Sequence, residues 1–594
     1  MKRYKGAIII LAVFITSFTA CKKYETFPID QVNINKVFDP LDSNGTNAQA
    51  YLISIYGILL KGHNRLDGSD YLDAASDDAV SSNAAALKTP TLLSTGDYNS
   101  GTFSDALSGP QTDNLWAYCY GGIRQCNIFI NNIGVVPIKD VVNSNGKING
   151  IGVSERYILQ SEARFLRAWF YFELVRRYGG VPLLGNTVYT VTQNVALPRN
   201  SFSDCINFIV NECNAIKDSL LTNPLSSSAN YGRVTKGAAL ALKARALLYA
   251  ASPLFNGGNI DPSNPLTGYV GGVDVTKWQA AAQAASDVIA LGAFSLDTIN
   301  YGRDVFLTQN NPEVIFVVLN DNGANIEKEQ APPGFPAAKG IGETSPTQDL
   351  VNAFPMLNGA SIGAAGSGYD PNNPYSNRDP RLGNTILYNG APWLQTSLQL
   401  FQGGQNEPNN GQVESLTGYY MHKFMGYSET TATFQNHNED WIAFRYAEVL
   451  LNYAEAENEY SGADNNVYAA LVALRKRAGI TAGSNKLYGL PPMGSVSPDS
   501  MRNLIHNERR IELAFEEHRF FDIRRWKIAG DGPAVMNQPR RGVIITTSFG
   551  ANTYTPTTVL PNIFPGTFTS KRYLYPIPYD EVAKNPQMKQ NPGW

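Results

Sequence analysis

Histidine and cysteine are scarce: five of each occur in 594 residues, and the chemistry they usually carry goes missing with them. The histidines stand at positions 63, 422, 437, 506 and 518 and form no HExxH zinc helix. There is no GxSxG nucleophile elbow, and Gly146-Lys147 runs into Ile148 where a phosphate-binding loop needs Ser or Thr. Metalloprotease, serine-hydrolase and P-loop readings therefore lose their simplest support. A glycosidase needs only two acids about 5 to 9.5 Å apart, and with 51 acidic residues spacing alone does not remove that class.

A surplus of one charge is also absent. With 48 Lys and Arg against 51 Asp and Glu the formal net charge is −3, neither the basic excess of a nucleic-acid binder nor the acidic block of a disordered tail. No segment after the N-terminal apolar run reaches the roughly 18 uncharged apolar positions of a membrane-spanning helix. Four cysteines fall in predicted helices. Cys119 and Cys126 are seven positions apart and Cys205 and Cys213 eight, which is about 10 to 12 Å along a helix and outside disulfide reach. Neither local pair can bridge, pairing across helices stays open, and buried free thiols are the expected state. No CxxC and no His-containing metal spacing appears, so neither a metal nor a cofactor is expected.

What is present starts at the N-terminus. Lys2, Arg3 and Lys5 precede an apolar run from Gly6 to Ala20, too short to span a bilayer and right for an export signal. It ends in Ser17-Phe18-Thr19-Ala20-Cys21, which resembles a bacterial lipobox with Phe18 where Leu is usual. Cys21 is expected to be the mature N-terminus, its thiol carrying a diacylglyceryl group. Several acyl chains, at about 0.8 kcal/mol per buried CH₂, make a lasting anchor. Residues 1–20 are thus read as signal peptide, 21–39 as tether and 40–594 as a single domain, its N-terminal part at about 40–230 and its C-terminal part at about 270–594.

The fold class expected for that domain is mainly α: tetratricopeptide-like helical hairpins with long irregular loops and a few short strands. The string from Ser154 to Tyr178 puts Ile158, Phe165, Trp169 and Phe172 on one face with Leu159, Leu166 and Phe170 beside them, and Gly179-Gly180 ends it. Helices are also predicted over Leu115–Ile133, Ser203–Leu221, Thr235–Ala251, Lys277–Leu291, Asp440–Tyr460, Asn465–Ala478 and Ser497–Lys527. The Ala-rich run GAALALKARALLYAASP lets backbones approach closely, although no strict 34-residue period is present. Strands are predicted at Val314–Leu319 and Val543–Thr547, and the helical signal fades between about Asn320 and Tyr419 into a long insertion. Trp169, Trp278 and Trp526 lie on apolar helix stripes and read as core. Glu508, Glu512 and Glu516 recur every four positions beside Arg509, Arg510 and Arg519. No Glu-x-x-His accompanies them, so an ion-pair network is expected in place of a di-metal site.

Four strings, EARFLRAWFYFELVRRYGGVPL from Glu162, WIAFRYAEVLLNYAEAENE from Trp441, NERRIELAFEEHRFFDIRRWK from Asn507 and YLYPIPYDEVAKNPQMKQNPGW from Tyr573, together resemble the SusD/RagB family of outer-membrane nutrient-binding lipoproteins. PTQDLVNAF from Pro346 and NRDPRL from Asn377 add to the likeness. The resemblance implies a non-catalytic surface protein that binds glycans on its loops and delivers them to a SusC-type TonB-dependent β-barrel transporter. It also implies lipid anchoring to the outer membrane with an outward-facing placement, and no nucleic-acid partner. The alternative is a peptide ligand, as in the RagB branch, and a surface glycosidase ranks last.

Sugar recognition needs flat aromatic faces and polar groups matched to hydroxyls. The segment from Asp67 to Asn114, where such proteins usually contact ligand, offers Asp70, Asp73, Asp77, Asp78, Tyr98 and Asn99; Phe335 and Trp393 are the candidates in the insertion. No Trp precedes Trp116, so the Trp platform of starch-binding members is missing. The Asp-rich stretch lacks the EF-hand pattern for Ca²⁺. Lys22-Lys23-Tyr24-Glu25 has one acid where surface-exported lipoproteins often carry several.

Overall fold

Helix ends follow local chemistry. In the computed structural model, which describes residues 33–82, 88–143, 146–190, 193, 195–222, 230–298, 302–335, 337–408, 415–560 and 566–594, Ser201 and Asp204 cap one helix reciprocally. The Thr235 hydroxyl accepts from the Ala238 N–H at 2.9 Å, and Ser497 with Pro498 opens another helix. Cys21, the signal segment and most of the tether lie outside the described residues. Val37 and Phe38 already pack in the core.

The principal helices are α1 (Thr46–Tyr56), α2 (Trp116–Asn132), α3 (Glu155–Tyr178), α4 (Phe202–Ile216), α5 (Lys236–Ala251), α6 (Thr276–Ala290), α7 (Tyr446–Ser461), α8 (Asn465–Arg477), α9 (Pro498–Glu512) and α10 (Arg519–Arg525). From α2 onward each packs on the next as far as α8, and α7 also carries α9. The fold is mainly α, as expected. Helix α3 is buried around most of its circumference, including Phe165, Leu166, Trp169 and Phe172. Alanines 238, 239, 241, 244, 246 and 250 of α5 are buried and allow its neighbours to approach. Gly179 ends α3 at φ +77°, and a Cβ there would stand 2.4 Å from the Leu266 carbonyl oxygen, so only glycine fits.

The array continues from α6 to α7 although residues 291–445 intervene. That insertion is cinched at its base by two buried antiparallel strands, Val314–Val318 and Trp441–Arg445, with Val318 opposite Trp441. Sequence reasoning placed residues 441–445 in a helix. Their bulky aromatic and β-branched side chains are instead buried on a pleated surface, and the helix starts only at Tyr446. Elsewhere the insertion joins Thr344–Pro346 to Ala79–Ser81 and Ile386–Leu387 to Tyr420–Met421. The predicted strand at Val543–Thr547 lies in a longer hairpin, Arg540–Ser548 with Ala551–Leu560, whose turn residues Phe549 and Gly550 have φ +51° and +80°.

The expected continuous helix over Ser497–Lys527 is broken between α9 and α10, where Phe515 and Glu517 have positive φ. The break turns the Glu512 and Ala514 carbonyls to the Lys423 ammonium at 3.0 and 2.9 Å, and Arg445 also donates to the Glu512 carbonyl at 2.8 Å. The glutamate ladder does form an ion-pair network, but with distant cations. Glu508 pairs with Arg381 and Arg475, Glu512 with Arg381, Arg445 and Arg477, and Glu516 with Arg445 and Lys423. Successive helix positions are 100° apart, so the adjacent arginines point elsewhere: Arg509 to Asp522, and Arg510 to Asp77 and Asp78. Cys119, Cys126, Cys205 and Cys213 are free and buried, and burial pushes the Cys205 and Cys213 thiols up to about 12. Trp169, Trp278 and Trp526 are core residues.

Candidate ligand cleft

The residues singled out as ligand contacts are not brought together. Asp77 and Asp78 are buried and serve as anchors for arginines. Arg519 donates to both Asp77 oxygens at 2.8 and 2.7 Å, and Arg510 donates to Asp78 at 2.6 Å. Burial alone would raise the Asp77 carboxyl, but Arg519 and Arg510 hold it well below the usual range. Asp73 accepts from the Phe515 N–H, and burial pushes the Asp70 carboxyl up to about 8. Tyr98 is 5% exposed and packs on Phe103, Tyr575 and Trp594. Trp393 is 0% exposed, its ring edge-on to His422 at 5.6 Å, and Phe335 belongs to the same core. Asn99 is exposed, with its amide oxygen accepting from the Gly101 and Thr102 N–H groups in a turn. An irregular chain that packs on a scaffold hides its largest rings, and without a helical or strand period the sequence does not tell the hidden face from the open one.

Two adjoining clefts, of about 440 and 480 Å³, meet at Gly57, Leu59 and Lys61. The first has an apolar floor of Leu52, Leu159 and Val317 and a rim bearing Tyr56, Tyr231 and Arg233. The second is polar, with Lys61, Asn64, Asp67, Gln111 and Tyr118 among its lining residues. Helix α1 and the strand Val314–Val318 position these groups, and the loop after that strand closes on them. Lys61 donates to Asn320 Oδ1 at 3.0 Å, Asn64 Nδ2 donates to the Asn325 carbonyl at 3.2 Å, and Gln330 donates to Asn64 Oδ1 at 2.8 Å. Asn64, Gly68 and Ser69 all have positive φ, which turns this loop sharply at the cleft.

The acids of this cleft already have partners. The Tyr56 hydroxyl donates to Glu162 at 2.7 Å while Arg233 donates to its other oxygen at 3.0 Å, and Thr89 donates to Asp67 at 2.6 Å. Burial raises the Glu162 carboxyl, opposed by Arg233 and Tyr56. The remaining chemistry is that of a binding surface: an exposed ammonium, amides and tyrosine rings beside an apolar floor. Tyr56, Lys61, Asn64, Gln111, Tyr118 and Tyr231 were all missed from sequence. They come from three separate segments, 56–64, 111–118 and the stretch around Tyr231, and carry no local signal. Among the described residues one group has metal-ligating chemistry: Glu327, His437 and Glu439.

Stacked helical hairpins with an open, polar cleft on their loops define a helical-repeat scaffold protein. Residues 312–594 match the model of the SusD family, and residues 46–248 match a second model described as starch-binding, associating with outer membrane. SusD-like protein P2 of Formosa agariphila is 24% identical over 492 residues, covering 81% of this chain and 80% of its own. A SusD-like protein from Bacteroides fragilis superposes with a TM-score of 0.72 at 26% identity, covering 95% of this chain and 100% of its own. A SusD-like carbohydrate binding protein from the same organism gives 0.67 at 23% identity, covering 92% and 99%. The chain belongs to the SusD/RagB family.

Proposed function

We propose that this protein is a non-catalytic, lipid-anchored lipoprotein of the outer-membrane surface that binds glycans in the cleft around Lys61 and hands them to a SusC-type TonB-dependent barrel. The observation that carries the reading is the combination of family membership with an open cleft whose acids are engaged in internal hydrogen bonds. The starch-binding description of the matched family model and the carbohydrate-binding description of the Bacteroides fragilis relative support a sugar ligand. The exposed Lys61 and the Tyr118 and Tyr231 rings supply the donor and the flat faces that such a ligand requires.

The test is a retention screen of the soluble form, starting after Cys21, against polysaccharides and a peptide mixture. Retention by polysaccharide supports the proposal, and retention by peptides alone replaces it with a peptide importer. Release of reducing ends from a retained polysaccharide after long incubation would make the protein a glycosidase. For the hand-over, detergent-solubilised native protein should co-purify with a large β-barrel.

A further inference from the structure

Just beyond the paired strands that cinch the insertion, residues 323 and 437 form a backbone bridge. The Gly323 N–H donates to the His437 carbonyl at 3.0 Å, and the His437 N–H donates to the Gly323 carbonyl at 2.9 Å. This rigid junction brings together three side chains that lie far apart in sequence: one ligand atom each from Glu327, His437 and Glu439 lies within 4.8 Å of the others. Glu327 is 0% and Glu439 2% exposed. Among the described residues neither carboxylate has a Lys or Arg within ion-pair distance, and their one cationic partner is the His437 ring against Glu327. Two buried carboxylates therefore share a single imidazole, which leaves a charge uncompensated in a medium where that is costly.

The hydrogen bonds sharpen the point. His437 Nδ1 lies 2.8 Å from the Asn438 carbonyl, which can only accept, so Nδ1 carries a proton. Its other nitrogen, Nε2, faces Glu327 Oε1 at 2.8 Å. A neutral imidazole with Nδ1 protonated would set a lone pair against a carboxylate oxygen. Something positive must sit between them, either a second proton or a metal ion. A ring that donates Nδ1–H to a carbonyl and turns Nε2 toward carboxylates has the arrangement of a metal-ligating histidine with its outer-shell support. The second carboxylate has its own support, since Glu439 accepts from the Asn325 and Ile326 N–H groups at 2.6 and 3.1 Å. Glu327 Oε2 is buried and, among the described residues, has no hydrogen-bond partner. A lone imidazolium would leave that oxygen orphaned, and a divalent ion would satisfy it.

We propose that Glu327, His437 and Glu439 form a binding site for a first-row divalent cation, Zn²⁺ or Mn²⁺, that staples the base of the insertion. One nitrogen and two carboxylate ligands suit these ions and not Ca²⁺, which takes oxygen ligands. Binding replaces the proton on Nε2: that proton leaves to solvent, the nitrogen lone pair bonds to the metal, and the group of two carboxylates, imidazole and ion becomes neutral. With bonds of about 2.0 to 2.1 Å the ligand atoms settle roughly 3.4 Å apart, so the Nε2 to Oε1 hydrogen bond opens slightly as the ion enters. The same loop supplies Asn320 to Lys61 and the Asn325 carbonyl to Asn64. The ion thus fixes one wall of the ligand cleft, whatever that cleft binds. Sequence inspection carries no trace of the site, because 110 positions separate Glu327 from His437.

The test uses the folded chain without a histidine tag, stripped with chelator and then dialysed against Zn²⁺, Mn²⁺ or Ca²⁺ alone. The expected result is one equivalent of Zn²⁺ or Mn²⁺ retained and none of Ca²⁺. At a hundredfold excess over Kd the melting temperature should rise by about 2 °C. His437→Gln and Glu439→Gln should each lower metal affinity at least about tenfold. No retained ion, or an ion retained equally by both folded variants, overturns the site. If a variant does not fold, X-ray absorption of the wild-type zinc complex decides: one imidazole with oxygen ligands supports the proposal, and several imidazoles or any sulfur ligand overturns it.

Discussion

Glu512 sits at the centre of a dense buried charge network, and replacing it by Gln isolates what that network contributes. Its carboxylate accepts from Arg381 at 2.9 Å, from Arg445 at 2.8 Å, and from Arg477. Counting outward, the acids are Glu313, Asp379, Glu508, Glu512 and Glu516, and the bases are Arg381, Lys423, Arg445, Arg475 and Arg477, so the set is balanced. Glu512→Gln keeps the shape but leaves one buried positive charge uncompensated and turns an amide NH₂ toward guanidinium donors. Breaking a buried pair from one side costs about 3 to 5 kcal/mol. At roughly 2.1 cal/mol/K per residue of unfolding entropy, a body of this length loses about 3 to 4 °C in melting temperature.

The pH dependence has a definite sign. Burial alone would raise the Glu512 carboxyl, but Arg477, Arg445 and Arg381 hold it well below the ordinary value of 4.5. A group depressed in the folded state stabilises fully above its unfolded pKa and loses that contribution as pH falls through the folded one. The gap between wild type and Glu512→Gln should therefore be full at pH 7 and begin to close below about pH 4.5. Melting curves from pH 3 to 7 measure it, with glycan retention as the control for an intact cleft. A variant as stable as the wild type at pH 7 would refute the reasoning, since it would mean the carboxylate's desolvation cancels its three charged hydrogen bonds.

Three other outcomes are expected. Trp393→Ala should lower stability by about 3 to 5 kcal/mol through the cavity it leaves, with ligand affinity unchanged in whatever fraction stays folded; thermal melts and retention assays read the two separately. Lys61→Ala should do the reverse, weakening ligand binding by about 1 to 2 kcal/mol while the melting temperature stays within error, because its ammonium is exposed and bonded only to Asn320 among the hydrogen bonds described. Cys21→Ala should move the protein from the membrane to the soluble fraction on cell fractionation, with glycan retention unaltered.

Legibility from sequence followed period and punctuation. Helix α3 was readable because its apolar stripe repeats over 24 residues and ends at Gly179; α4 was predicted from Ser203 by periodicity, and its Ser201–Asp204 cap emerged only in the structure. Two boundaries were misjudged, each for a tertiary reason. Residues 441–445 are apolar enough for a helix, and the strand Val314–Val318, far upstream, decided otherwise by pairing with them. The helix predicted across Leu513–His518 breaks because Lys423 and Arg445, both from the insertion side, claim the carbonyls that a helix would keep. The binding candidates were the hardest to place from sequence. Asp77 and Trp393 are polar and aromatic residues in irregular segments, which describes a ligand contact and an anchor in the core equally well. Burial separates the two, and burial depends on neighbours such as Arg519 and His422 that sequence does not place beside them.

The amino-acid order by itself determined the helices, their caps, the absence of familiar catalytic motifs and the family likeness, because each depends on residues within a few turns of one another or on a pattern read in line. Only the folded chain decided which charges are partners, which rings are buried and where the cleft and the Glu327, His437 and Glu439 group arise. Those features are made by segments separated by tens to hundreds of positions, and their proximity follows from how the helices stack and where the insertion is tied back.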